Sequence, residues 1–174
     1  MSAAKPYKNM LGGMRALPET QRKSYNDFMQ YRRVLIHGVT FFFTVVTYQR
    51  MPIFTRGEAV ETLRQACRYV LHKHAFRIDA HVILPDHLHM LWTLPIWDSD
   101  YPTRWRLIKS YFTRHWCEQA SLPVSESRRS KGERAVWQRR YREHQIRDED
   151  DFNRHIEYIH YNPVKHGFVC SPFE

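Results

Sequence analysis

Phe76-Arg77-Ile78-Asp79-Ala80-His81-Val82-Ile83-Leu84-Pro85-Asp86-His87-Leu88-His89-Met90-Leu91-Trp92 reads as two β-strands joined by a Pro-Asp turn. Strand-forming residues dominate both arms, and the turn residues between them mark a hairpin. In the second arm Leu88 separates His87 from His89. Side chains two apart on a strand share a face, so the two imidazoles project together while Leu88 points the other way and can enter a core. Neutral imidazoles are common ligands for divalent metals. Taken alone, the pair fits a two-histidine metal platform or two ordinary strand histidines. His72-Lys73-His74 repeats the spacing at the end of a helical stretch, where i and i+2 diverge by about 200°. That pair reads as a polar helix terminus suited to the dipole, not as a catalytic metal site.

Outward from the hairpin, residues 34–48 are strand-like, with Thr40-Phe41-Phe42-Phe43-Thr44-Val45-Val46 at their centre. Thr55 and Glu58 have capping-box spacing ahead of a helix to about His72, with Val60, Leu63, Cys67, Val70 and Leu71 on its apolar face. The two arms of the hairpin are strands over 76–84 and 87–94. A second helix over 103–119 carries Trp105, Ile108, Phe112, His115 and Trp116. Residues 121–134 form a polar, basic loop, followed by a short strand at 144–147. A last helix runs from 148 or 149 to 161, with Pro163 limiting its continuation. The order β-α-β-β-α-β-α predicts an α+β, ferredoxin-like antiparallel sheet with its helices on one face. Residues 1–27 have no apolar periodicity and form a flexible basic tail; the domain proper is 28–174.

The 174 residues fit one domain, and an apolar content of 43% supports a folded core. Lys and Arg exceed Asp and Glu by 27 to 18, giving a net charge of +9. Such an excess favours polyanionic partners, nucleic acid before membrane. Three cysteines without a Cys-x-x-Cys pair suggest neither a disulfide framework nor a zinc cluster. A reducing cytoplasm fits, and no stretch approaches the ~20 apolar residues of a membrane span.

Helical geometry sorts the last helix. At about 100° per residue, Phe152, Ile156 and Ile159 share the buried stripe. His155, Tyr158 and Asn162 fall on one flank of it, and Tyr161 falls opposite the core. A tyrosine beside two metal-binding histidines suggests nucleophilic attack on phosphate; as a rim residue of an amphipathic helix Tyr158 needs no such role.

Four blocks occur in order: Tyr31-Arg32-Arg33 through Thr40-Phe41-Phe42-Phe43-Thr44; Leu84 through Pro95; Trp137-Gln138-Arg139-Arg140-Tyr141-Arg142-Glu143-His144 with Ile146-Arg147; and Tyr158-Ile159-His160-Tyr161-Asn162-Pro163-Val164-Lys165-His166-Gly167. Together they resemble the REP-associated tyrosine transposases, relatives of the single-tyrosine HUH transposases. The resemblance covers about Tyr31 to Val169. It implies an HUH endonuclease fold that cuts single-stranded DNA beside repetitive extragenic palindromic (REP) hairpins. It further implies a 5′-phosphotyrosine, a free 3′-OH, and Mg²⁺ or Mn²⁺. By position, the HUH histidines are His87 and His89 and the nucleophile is Tyr158. Asn162 holds the place of a third, amide ligand, or else caps the helix before Pro163. Two departures stand out: a longer basic loop over 119–135, and an end at Glu174 where members commonly continue.

Between Arg128 and Arg147 lie eight Lys and Arg against two Glu, interleaved with Trp137 and Tyr141. Cations can hold phosphates and aromatics can stack bases, although Trp137 also suits a core. Arg139 and Arg140, with Arg32, Arg33, Arg104, Arg106 and Lys109, are the expected DNA contacts. A nucleoid-associated strand transferase is the leading function. A hairpin binder that does not cut, and a phosphohydrolase using bound water, are the alternatives.

Overall fold

The structure, a computed structural model, describes residues 38–116, 125–130 and 134–172. The basic tail over 1–27, and Arg32 and Arg33, lie outside these residues. The chain runs β1 (Thr40–Val46), α1 (Gly57–Lys73), β2 (Arg77–Leu84), β3 (His87–Thr93), α2 (Tyr101–His115), α3 (Glu126–Arg129), β4 (Arg142–Gln145) and α4 (Glu149–Lys165). Apart from the one-turn α3, this is the order expected. The strands form one antiparallel sheet in the order β2-β3-β1-β4.

Strand alternation builds two different faces. Phe41, Phe43 and Val45 of β1, with Leu88, Met90 and Trp92 of β3, turn toward α1 and α2 and are buried. Trp92 stacks on Trp105 of α2, ring centres 4.3 Å apart, and both contact Phe43. Phe42 and Thr44 of β1 and His87 and His89 of β3 face the other way, where α4 lies. All seven residues of β3 are buried because helices cover this central strand on both sides. One expectation is corrected here: α1 and α2 share a face, but α4 packs on the opposite one. Its stripe of Phe152, Ile156 and Ile159 is buried as the angles require.

Several boundaries differ for physical reasons. The Thr55/Glu58 capping box does not form; Thr55 Oγ1 donates to Pro52 O at 2.7 Å, and α1 starts at Gly57. Helix α2 starts before Thr103 because Asp100 Oδ1 accepts from Thr103 N at 3.1 Å and Pro102 suits the first turn. Asp148 caps α4 by accepting from Asp151 N at 2.7 Å. That helix also continues through Pro163 to Lys165. It stops at a Schellman cap: Gly167 N donates to Val164 O and Phe168 N to Pro163 O, both at 2.9 Å. Gly167, at φ 71°, takes the left-handed turn that this cap requires.

Candidate active site and nucleic-acid interface

Strand pairing places the histidines before any side chain is considered. His89 lies opposite Thr44 and His87 opposite Val46. Their ring centres are 5.1 Å apart, and both residues are buried. Each Nδ1 already has a partner: Asp86 Oδ1 lies 2.6 Å from that of His87, and Thr44 Oγ1 lies 2.9 Å from that of His89. Arg50 in turn donates to Asp86 Oδ2 at 2.8 Å. Occupying Nδ1 fixes ring orientation and leaves Nε2 as the ligating nitrogen, a common arrangement behind metal-bound histidines. His89 Nε2 is buried without a hydrogen-bond partner. Burial, then the positive charge of His87, His166, Lys165 and His155, pushes the His89 pKa down to about 3. Its imidazole is therefore neutral at neutral pH, as a metal ligand must be. Burial alone would raise the Asp86 pKa, but hydrogen bonds from His87 and Arg50 outweigh it and hold the carboxylate ionised.

Helix α4 brings the other two residues to this pair. The ring of Tyr158, half-buried, lies 5.1 Å from that of His89 and edge-on to Phe42 at 5.8 Å. Lys165 Nζ stands 5.7 Å over the Tyr158 ring. Asn162, one turn on, is 1% exposed, and neither its Oδ1 nor its Nδ2 has a partner. It does not cap the helix, which runs past it. Leaving a buried polar group unpaired costs roughly 1–3 kcal/mol, so the unpartnered amide of Asn162 and Nε2 of His89, on facing elements, suit a cation as their common partner. Tyr161 is half-buried, not solvent-facing as the angles had suggested. His72 and His74 lie at the end of α1, in the helical layer on the other side of the sheet.

A second donor group, not foreseen from sequence, comprises His144, Asp151 and His155 and could also hold a metal ion. The ring of Phe42 stands between it and the first site, 4.6 Å from His155 and 5.4 Å from His89. Its donors are largely committed. His144 Nε2 lies 2.8 Å from Asp151 Oδ2, Arg147 N donates to the same oxygen at 3.1 Å, and His155 Nδ1 bonds Asp151 O at 2.7 Å. With Arg147 and Arg154 also close, this group is a clamp between β4 and α4.

The cations expected to touch DNA separate into different environments. Arg106, Lys109 and Arg139 line a cleft of about 820 Å³ between α2 and the segment before β4. Arg114, Arg128 and Arg134 join them there, with Trp137 and Tyr141. Arg128 and Arg134 belong to the basic stretch over 128–147 but were not named as contacts; Arg114 was not singled out, and the signal available for it was its place two helical turns beyond Arg106 on α2. Lys109 Nζ donates to Gln138 O at 3.2 Å and lies 5.0 Å from the Tyr141 ring, and burial lowers its pKa to about 8. Trp137 is buried against Phe54 and Phe112. Arg140 is exposed but does not line the cleft. Arg104 is corrected to a structural residue. It is 3% exposed and donates to both Asp98 oxygens at 3.1 and 2.6 Å and to Asp100 O and Ala75 O, so it cannot meet a phosphate.

A four-stranded antiparallel sheet with helices on both faces is the fold this chain shares with tyrosine transposases. The REP-associated tyrosine transposase of Escherichia coli K12 is 41% identical over 141 residues, which are 80% of this chain and 75% of that one. A Haemophilus influenzae relative is 37% identical over 139 residues, 80% of this chain and 78% of its own. Among solved structures, a REP-associated tyrosine transposase bound to a REP hairpin superposes with a TM-score of 0.63 at 38% identity, covering 82% of this chain and 77% of that one. No protein-family model matches. The chain belongs to the REP-associated tyrosine transposases, enzymes that cut and rejoin DNA. Among the described residues no helix is long and apolar enough to cross a membrane.

Proposed function

We propose that this chain cuts and rejoins single-stranded DNA beside REP-type hairpins, with Tyr158 as nucleophile. The observation that carries this reading is the Tyr158 ring, 5.1 Å from a histidine whose buried Nε2 has no partner. A divalent cation, Mg²⁺ or Mn²⁺, held by His87, His89 and Asn162, would polarise and orient the scissile phosphate. The Tyr158 oxygen, having lost its proton, forms a bond to phosphorus as the bond to the 3′-oxygen breaks. That oxygen takes the electron pair and a proton and leaves as a 3′-OH. The 5′-phosphotyrosine keeps the energy of the ester, so attack by a 3′-OH reverses the step without ATP. A free phenol has a pKa of about 10, so the nucleophile needs help to lose its proton at neutral pH. Buried Phe41, Phe43 and Val45 hold β1 rigid behind the site, and Phe42 walls it on the β4 side.

The test is incubation of the chain with a REP hairpin carrying its flanking single strand, in Mn²⁺, followed by a denaturing gel. A covalent protein–DNA band and a shortened strand are expected. Neither appearing at saturating DNA would defeat the proposal.

The hairpin would be held by the basic cleft on the α2 layer. Phosphate contacts release counterions, so affinity should fall steeply with salt. Arg106→Ala with Arg139→Ala is expected to flatten the log–log salt slope by about one to two units. An unchanged slope, measured by fluorescence anisotropy, would move the DNA path off this cleft. Chromosomal palindromes as the target would put its work on the bacterial nucleoid.

A further inference from the structure

Beyond Asn162, helix α4 presents one more donor to the same place. Tyr158, Asn162 and His166 are spaced i, i+4 and i+8, so they form a single line along one edge of the helix. The Asn162 carbonyl accepts from His166 N at 3.1 Å, which fixes the last turn. The Schellman cap at Gly167 then turns the chain away and leaves the His166 side chain at the helix end, exposed. Its ring centre lies 5.7 Å from that of His87, which is itself 5.1 Å from His89.

We infer that His166 is a third imidazole ligand of the cation at His87 and His89. The inference rests on the reading of that pair as a metal site. Two imidazoles bound to one ion through nitrogens at ~2.1 Å hold their ring centres roughly 5 Å apart. The His87–His89 spacing already meets this. An exposed ring at 5.7 Å reaches it by a small rotation about its own torsions. The helix end could also favour a cationic His166 for its dipole alone, and the ring has a second neighbour in Phe168 at 6.1 Å. A cationic His166 would repel the metal, so on that role His166→Ala would tighten Mn²⁺ binding instead of weakening it, and packing against Phe168 alone predicts no change.

The consequence is a preference among metals. His87, His89 and Asn162 offer two nitrogens and one amide oxygen, and Mg²⁺ favours oxygen and water. A third imidazole moves the set toward Mn²⁺, Co²⁺ and Zn²⁺, which accept nitrogen more readily. It also ties the metal to the end of the nucleophile's own helix, so cation binding would fix Tyr158 relative to the sheet.

The experiment is calorimetric titration of the full chain, without DNA, with MnCl₂ and separately with MgCl₂. His166→Ala is expected to weaken Mn²⁺ binding about tenfold or more and Mg²⁺ binding far less. Co²⁺ absorption in the visible should change band position in the variant as a nitrogen ligand is lost. Mn²⁺ affinity within twofold of the unmodified chain, together with loss of binding in His87→Ala, would overturn the role of His166 and leave the His87/His89 site standing. Unchanged Mn²⁺ binding in His87→Ala would overturn the metal site itself. His166 is exposed, so the variant should fold, and circular dichroism checks that it does.

Discussion

Tyr158→Phe is expected to abolish cutting and the covalent adduct, by a factor on the order of 10³ or more, the scale seen when an enzyme loses its nucleophile. Hairpin binding should stay within about twofold, because the cleft that would hold the hairpin belongs to another layer. Only the phenolic oxygen is removed. The ring still packs against His89 and Phe42, so the fold should survive. Tyr161→Phe is the matched control, on a different side of α4. Cutting that persists in purified Tyr158→Phe, supplied with metal, would point to a bound-water phosphohydrolase. Binding without cutting in the unmodified chain would point to a hairpin-binding protein. The three readings give three gel patterns.

Trp105→Ala should be the most destabilising single truncation among these residues. The side chain is 1% exposed, stacks on Trp92 and meets Phe43 edge-on at 5.5 Å. Emptying such a site costs about 3–5 kcal/mol, a large share of the roughly 5–15 kcal/mol that holds an ordinary domain together. The indole Nε1 of Trp105 is itself buried without a partner. Trp105→Phe should therefore lose less than its volume suggests, because an unsatisfied donor goes with it. Urea denaturation of both variants measures this. A loss under about 1 kcal/mol for Trp105→Ala would contradict the packing described. The damage would also reach the other face: Trp92 anchors the strand that carries His87 and His89.

The residues legible in the sequence were those whose placement follows from one local period. The two-residue period of β3 placed His87 and His89 together and Leu88 in the core without any tertiary information. The 3.6-residue period of α4 separated Phe152, Ile156 and Ile159 from Tyr158 and Asn162. The face on which α4 packs was not legible, because an apolar stripe states that a helix is buried but not against which side of a sheet. Arg104 was misread because its charge is visible in sequence, while Asp98 and the Ala75 carbonyl, which absorb it, meet it only through the fold. The Thr55/Glu58 box failed because Thr55 found a nearer acceptor in Pro52. The clamp of His144, Asp151 and His155 joins a strand to a helix across a loop, and no spacing rule announces it. The basic stretch over 128–147 held Arg128, Arg134 and Arg139 together, but nothing in the sequence brought Arg114 of α2 to them.

The alternation of β1 and β3 has a bearing on how such a protein changes over generations. Phe41, Phe43 and Val45 turn to the layer that carries the cleft, while Phe42 and Thr44 turn to the histidines. On the proposed reading, the hairpin is recognised in one layer and cut in the other, with a sheet of tightly packed side chains between them. Substitutions on the outer surface of α2, or in the segment before β4, can retune which palindrome is held while no imidazole shifts. A lineage can therefore follow its host's drifting repeats by trial and error on one side of the molecule, keeping the cutting chemistry on the other side untouched.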